Sequence, residues 1–348
     1  MDDNQQPLVS IIVLNYNAKD ILIDCIDSIF RSNYQNYEVI LVDNNSDDNS
    51  FEICKKNHPE INLIKNKSNL GYCGGNNIGA KEARGEFIII LNPDTLVEPD
   101  WINEFLKSYK KFGDAIYQPK FISTEDREML LSTGQMINLF GFGFSRDKGS
   151  YLKNKKYESE KIAYASGTCM FLPLTLMKNL NYFDDFLFAY HDDLDLCWRA
   201  SMINIDSYFV PNSIVFHPRE GYAFKWSDYK FYLMERNRMY CVLTHYSRKT
   251  ITKLLPALLI IDIGVLLFYI KKGMGKQKIK ASFNILKNLK IIHNKNNQLQ
   301  KIRKVSDKDV IKKFEDEIQV PEWILNTNSN NSFNQFLKKL SILSRKLV

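Results

Sequence analysis

Val9-Ser-Ile-Ile-Val-Leu14 and Glu38-Val-Ile-Leu-Val-Asp43 are unbroken β-branched apolar runs, too short for helices and too continuous for strands with one wet face. Runs of this kind are strands buried on both sides, as in a parallel sheet. Between them Leu22, Cys25, Ile26, Ile29 and Phe30 fall on one face of a helix. Ile61-Asn-Leu-Ile64 and Glu86-Phe-Ile-Ile-Ile-Leu91 repeat the strand pattern, each after a helical or turn segment. Strands alternating with helices imply right-handed crossovers, and so an α/β fold around a mixed, mostly parallel sheet of Rossmann-like, nucleotide-binding type. Farther along, 100–112 reads as a helix and Ala165 to Leu172 as another strand. Phe183 to Ala200 is an acidic stretch leading into a helix, and Asp206 to Val210 and Ile214 to His217 are two closing strands.

Ligands of open α/β sheets sit beyond the carboxyl ends of the strands. The residues just past those ends are Asn15-Tyr-Asn17, Asp43, Asn66 to Asn69 and Asn92-Pro-Asp94, predominantly polar and including two carboxylates. Asp43 can accept hydrogen bonds from a nucleobase or ribose, or equally close an Asx turn before the next helix. Asp94, in a turn stiffened by Pro93, is placed to hold a hard divalent cation that bridges to a diphosphate, although an ordinary turn has the same composition. His191-Asp-Asp-Leu-Asp195 puts three carboxylates within four residues. They repel one another unless a cation or a retained proton relieves them, which makes the cluster a place to look for a general base. A helix N-terminus also favours Asp, through its dipole. His217 ends an apolar strand and stands alone in the sequence.

The net charge of +7 over 348 residues hides a split. Residues 1–235 carry 24 Lys+Arg against 33 Asp+Glu, a net of −9, and residues 236–348 carry 23 against 7, a net of +16. A basic C-terminal third on an acidic body predicts a polyanionic partner for that third alone. Six scattered cysteines without a C-x-x-C pair fit a reducing compartment and argue against a zinc ribbon or disulfide scaffold. The acidic, polar start is not a signal peptide, so the body is expected in the cytosol.

The motifs, taken in order, resemble glycosyltransferase family 2, inverting enzymes of GT-A-type fold, and in particular its rhamnosyltransferase-like branch. The resemblance rests on Val9-Ser-Ile-Ile-Val-Leu-Asn-Tyr-Asn17, Val42-Asp-Asn-Asn-Ser46, Asn69-Leu-Gly-Tyr-Cys-Gly-Gly-Asn-Asn-Ile-Gly79, Leu91-Asn-Pro-Asp94, Phe183-Asp184, Asp192-Asp-Leu-Asp-Leu-Cys-Trp-Arg199, Val210-Pro and Val215-Phe-His217. It covers about residues 8–220 and extends loosely through Glu235-Arg-Asn-Arg238. It implies a nucleoside-diphosphate sugar donor, a glycan or lipid-linked acceptor and a divalent metal, Mg²⁺ or Mn²⁺. By the same resemblance Asn15, Asn17 and Asp43 line the nucleoside site, with Asn77 and Asn92 near the donor. Asp94 is the metal-binding end of an Asp-x-Asp motif whose first Asp is Asn92 here, and His217 is a second metal ligand. Asp193 is the catalytic base, with Asp192 where Glu is usual.

The C-terminal third changes character. Leu254 to Ile270 is seventeen residues, apolar apart from Asp262 and small or Pro breaks, and reaches about 25 Å as a helix, short of a ~30 Å hydrocarbon core. Residues 271–304 carry eleven Lys/Arg and no acid, with Ile279, Phe283, Leu286, Leu289 and Ile292 on one helical face. Anionic lipid accounts for that pairing of lysine and aliphatic face; without a base-stacking aromatic array nucleic acid is the weaker explanation, and no nucleic-acid partner is expected. The expected organisation is therefore a catalytic domain over 1–235, a basic, apolar membrane-associating helical region over 236–325, and an Asn-rich linker with a basic amphipathic tail over 326–348. Attachment is expected to be peripheral, monotopic or re-entrant at the cytoplasmic membrane face. A nicotinamide dehydrogenase would need G-x-G-x-x-G after the first strand, where Asn15-Tyr-Asn-Ala-Lys19 stands. The remaining rival is a catalytically degenerate glycosyltransferase fold serving as a membrane scaffold.

Overall fold

Every residue of β1 (Val9–Asn15) is buried, which is what an apolar run without alternation requires. After it come α1 (Asp20–Phe30), β2 (Tyr37–Asp43), α2 (Ser50–Asn57), β3 (Asn62–Lys65), α3 (Gly71–Glu82) and β4 (Phe87–Leu91). β5 (Leu96–Val97), α4 (Trp101–Phe112), β6 (Ile116–Ser123), β7 (Leu130–Ser132), β8 (Gln135–Ile137) and β9 (Gly143–Ser145) follow. Then come β10 (Glu160–Ile162), β11 (Cys169–Pro173), α5 (Leu174–Asn179), α6 (Asp192–Met202) and β12 (Ser207–His217). The remainder is helical: α7 (Asp228–His245), α8 (Arg248–Lys271), α9 (Gly275–Lys287), α10 (Leu289–Ile302), α11 (Asp307–Ile311) and α12 (Ser329–Arg345).

This computed structural model describes residues 6–152, 155–221, 227–319 and 329–348. Residues 6–134, 147–197 and 205–221 form one compact unit; residues 135–146, 198–204 and those from 227 onward form another.

The first unit is built on a sheet of order β10-β12-β6-β11-β4-β1-β2-β3. β3, β2, β1 and β4 are parallel. β11 runs antiparallel to both β4 and β6, and β12 is parallel to β6. The antiparallel insertion of β11 thus leaves β6 and β12 running with β4. Their carboxyl ends, His217 among them, come out on the edge where Asn15, Asp43 and Leu91 end. Apolar side chains of β1, β2, β4 and β11 pack with α1 and α4 into one core that includes Ile11, Leu22, Leu41, Ile89, Trp101 and Phe171. α3 lies so close to the sheet that a Cβ on Gly79 would stand 2.6 Å from Ile12 Cγ2.

Two sequence expectations change in this unit. The closing strands are one strand, β12, whose register shifts between Val210 and Ile214 where Pro211 has no N–H to give the ladder. The strand read from Ala165 begins only at Cys169, because Ser166, Gly167 and Thr168 form a turn that is held by side chains.

The second unit packs α7 to α12 with the β8–β9 hairpin. Its interior holds an ion cluster. Glu235 binds Arg238 at 2.5 Å and Lys278 at 2.9 Å, and Lys278 also binds Asp262. Burial alone would raise the Glu235 pKa, but the two cations outweigh it and hold the carboxyl below its ordinary value. Asp262, expected to be an expensive charge on an apolar helix, is therefore compensated. The apolar face read across 279–292 is broken between α9 and α10 at Asn288, and Ile292 is buried while Ile279, Phe283 and Leu286 are 61–68% exposed. α9 turns Lys278 inward and those three outward, the reverse of a soluble amphipathic helix. On α8, Leu255, Leu259, Ile263 and Leu267 form a second exposed apolar stripe. α8 alone among the described helices is long and apolar enough to cross a membrane. Residues 329–334, read from composition as linker, belong to α12; 326–328 lie outside the described residues.

Candidate active site

The turn after β4 is pinned at its backbone. Asn92 N–H donates to Thr168 O at 2.9 Å, and Thr95 Oγ1 donates to Asn92 O at 2.8 Å. The chain then enters β5, where Leu96 and Val97 pair with Phe216 and Val215 of β12. That pairing brings Asp94 to the end of β12, and Asp94 Oδ1 lies 3.4 Å from His217 Nε2. Asp94 is buried and His217 half-buried. Two donors that bind one cation through ~2.1 Å bonds at near-octahedral to tetrahedral angles sit roughly 3.0–3.4 Å apart. A hard carboxylate oxygen beside an imidazole nitrogen fits a divalent ion such as Mn²⁺, with the remaining positions open to phosphate oxygens and water.

At the neighbouring strand ends, Asn15 and Asp43 are register partners, both fully buried. Asn15 Nδ2 donates to Asp43 Oδ1 at 2.8 Å, and Asp43 Oδ2 accepts from Ser46 N–H at 3.1 Å. Asn17, at φ 57°, accepts from Asp47 N–H and donates its own N–H to Ser46 Oγ. These groups tie the loop after β1 to the loop after β2 and shape it from beneath; the turn-closing use of Asp43 is realised in this way. Asn77 spends its side chain elsewhere. Its amide donates to Phe183 O and Asp185 Oδ1 and accepts from Phe183 N–H, which clamps the segment that leads to α6.

α6 starts at Asp192, so Asp192, Asp193 and Asp195 occupy its first turn, where the helix dipole favours negative charge. Asp193 Oδ2 accepts from Gly167 N–H at 2.9 Å and Oδ1 from Leu194 N–H at 2.8 Å. Asp192 Oδ1 accepts from Asp193 N–H at 3.0 Å. Burial, and then the charge of Asp193, push the Asp192 pKa well up. Burial also raises Asp193, against the opposing pull of the Gly167 and Leu194 N–H groups. Asp192 is buried and Asp193 half-buried. Of the two, Asp193 is the one suited to lose its proton and reach a ligand.

Several residues that organise this edge were not singled out in the sequence. Asn44 donates to Asn69 Oδ1 and Gly71 O and accepts from Asn66 Nδ2, which fixes the loop after β3. Tyr72 donates to Gly167 O at 2.5 Å. The one signal for the latter was a glycine inside a strand-like run, which often marks a bulge or close approach.

Residues 10–180 match the family model of glycosyl transferase family 2. Asp94 falls inside that range, and Asp193 and His217 lie beyond it. The chain is similar to the low-salt glycan biosynthesis hexosyltransferase Agl10 of Haloferax volcanii, 26% identical over 239 residues that cover 66% of this chain and 74% of the relative. It is 35% identical to glycosyltransferase GlyG of Streptococcus pneumoniae over 98 residues, 27% of this chain and 33% of that one. Among solved structures it resembles GalNAc-T7 with UDP, GalNAc and Mn²⁺, with a TM-score of 0.59 at 16% identity over 73% of this chain and 51% of that chain. The mannosyltransferase PcManGT of Pyrobaculum calidifontis, in complex with GDP-Man and Mn²⁺, gives a TM-score of 0.52 at 14% identity over 86% of each chain. At these identities the structural likenesses establish the fold.

Proposed function

We propose, the chain belonging to glycosyltransferase family 2, that it moves a hexose, rhamnose or another, from a nucleoside-diphosphate sugar to a glycan or lipid-linked acceptor, with inversion, at the cytoplasmic face of a membrane. The observation that carries this reading is the approach of Asp94 and His217 to 3.4 Å on the sheet edge where Asn15 and Asp43 also end. Mn²⁺ in the structures of two neighbours, GalNAc-T7 and PcManGT, supports the same assignment. Asp94 and His217 would hold the divalent cation, whose charge offsets the negative charge that gathers on a departing diphosphate. Asn15, Asn17 and Asp43 shape the nucleoside side, with Asn92 near the sugar, while Asn77 acts by holding the segment that leads to α6.

Asp193 accepts the proton of the acceptor hydroxyl while that oxygen bonds to the anomeric carbon. The bond from that carbon to the diphosphate oxygen breaks on the opposite face, and its electron pair leaves with the nucleoside diphosphate. One displacement of this kind inverts the centre without a covalent enzyme intermediate. Asp192, the deeper carboxyl, caps the N–H of Asp193 and keeps its proton more readily.

The membrane assignment is supported by the outward apolar faces of α8 and α9 and by the acid-free, lysine-rich stretch 271–304 that contains α9. The deciding experiment is thermal unfolding with UDP or GDP, with Mn²⁺ or with EDTA. Ligand at 100 times its Kd stabilises by about 2.7 kcal/mol. Stabilisation that needs Mn²⁺ and is lost in Asp94→Ala is expected. Metal-independent binding that Asp94→Ala leaves intact would overturn the metal assignment. Nucleotide binding without donor turnover on any acceptor or water would favour the scaffold reading.

A further inference from the structure

The turn Ser166-Gly167-Thr168 is held through both sides of its central residue. Gly167 N–H donates to Asp193 Oδ2 at 2.9 Å, and Gly167 O accepts from Tyr72 Oη at 2.5 Å. The flanks are equally tied. Ser166 N–H donates to Gln118 Oε1 at 2.9 Å, and Thr168 O receives Asn92 N–H at 2.9 Å. The Tyr72 ring stacks edge-on against Phe183, centroids 5.5 Å apart, so the hydroxyl is aimed by packing. A Cβ on Gly167 would stand 2.6 Å from Tyr72 Oη and 3.3 Å from Asp192 Oδ1. No larger residue fits between the hydroxyl and the carboxylates.

We infer that Tyr72 is a positioning residue for the proton-accepting carboxylate, acting through Gly167, a residue that it anchors by the carbonyl and that in turn holds Asp193 by the N–H. The inference rests on the reading of Asp193 as the base. The carbonyl and the N–H of Gly167 belong to adjacent peptide groups joined at its Cα, so the coupling is geometric: anchoring the carbonyl restrains the backbone rotation that would swing the N–H away from Asp193. With Oδ2 tied to Gly167 and Oδ1 to Leu194, the carboxylate is fixed in orientation and each oxygen keeps a lone pair for an acceptor hydroxyl. A loose base would lose the alignment that makes proton transfer efficient.

Tyr72→Phe removes one oxygen and keeps the ring on Phe183. Two measurements on the full chain test it. The first is turnover of UDP- and GDP-linked hexoses, with water as acceptor. A fall of roughly tenfold in kcat is expected, the worth of about one hydrogen bond, with the donor KM within about twofold of wild type. The second needs no substrate: the Tm of wild type and Tyr72→Phe across pH 4–8, each also in an Asp193→Asn background. A weaker Gly167 bond lets the Asp193 pKa rise further, so Tyr72→Phe should cost more Tm at pH 8 than at pH 4. That pH dependence should vanish once Asp193 is Asn. The other ionisable groups facing this carboxylate are Asp192 beside it, Tyr72 itself and Tyr164. Burial holds both tyrosines well above the range scanned, and a pH dependence carried by Asp192 would persist in the Asn background, where one carried by Asp193 is lost.

Gly167→Ala adds a control. It should be far more damaging in wild type than in Tyr72→Phe, where the 2.6 Å clash partner is gone. A pH-independent Tm loss with unchanged kcat overturns the positioning role while the reaction assignment stands. Wild-type turnover in Asp193→Asn alone overturns the base assignment itself, whatever Tyr72 does.

Discussion

Replacing Asp193 by Asn separates proton acceptance from every other property of the site. The side chain keeps its shape and one acceptor oxygen, so the bond from Gly167 N–H or from Leu194 N–H survives and the other faces an amide NH₂. Losing one such bond costs about 1 kcal/mol. Removing a carboxylate whose burial disfavours its charge offsets much of that, so folding should change by no more than about 1 kcal/mol. Catalysis should change far more. A general base contributes about 10²–10⁴ in rate, or ~2.7–5.4 kcal/mol of barrier at 1.36 kcal/mol per tenfold. The assay is release of nucleoside diphosphate under single-turnover conditions, beside a thermal titration with the same nucleotide. Nucleotide affinity within about twofold of wild type, with turnover down at least a hundredfold, is the expected pair of results. Turnover near wild type in a folded Asp193→Asn chain would refute the reasoning. Loss in Asp192→Asn with activity kept in Asp193→Asn would move the role one residue back.

Asp192→Asn tests the electrostatics. The folded-state pKa of Asp192 lies well above its ordinary 3.8, so its contribution to stability is full below about pH 3.8 and is lost as pH rises through the folded value. The variant should match wild type near pH 3.8 and exceed its Tm by a few degrees at pH 7.5, where each 1 kcal/mol is worth about 2–4 °C; equal Tm at both pH values would count against the raised pKa. Lys278→Met leaves Glu235 and Asp262 with Arg238 alone and should destabilise the second unit by about 3–5 kcal/mol in urea unfolding. Asp262→Asn added to it should recover part of the loss, and strict additivity would show that the cluster is not coupled. Changing Ile279, Phe283 and Leu286 together to Ser should weaken flotation with anionic liposomes at least tenfold and leave Tm nearly unchanged, since all three are exposed. Flotation that is unaltered would take the α9 face out of membrane contact.

The strands and helices that make the sheet were legible because burial on both faces writes itself into local composition. Val9 to Asn15, Tyr37 to Asp43 and Phe87 to Leu91 are apolar almost throughout, and no distant residue is needed to recognise them. The candidate residues were legible for a related reason, since polar groups at the ends of such strands have nothing local to pack against. Which of them meet was another matter. The 3.4 Å approach of Asp94 to His217 depends on β11 running antiparallel, which turns β12 to the direction of β4, and on a two-residue strand, β5, too short to carry a pattern. The turn at Gly167 was misread as strand because its hydrogen bonds go to Tyr72 and Asp193, distant in sequence, in place of a ladder. On α9 the apolar positions were read correctly and their direction was not determined by the sequence. An aliphatic face shows only that something apolar must cover it. The pull of Glu235 and Asp262 on Lys278 decided that the lysine turned inward and Ile279, Phe283 and Leu286 outward, and side-chain charges brought together from three helices exist only once the chain has folded.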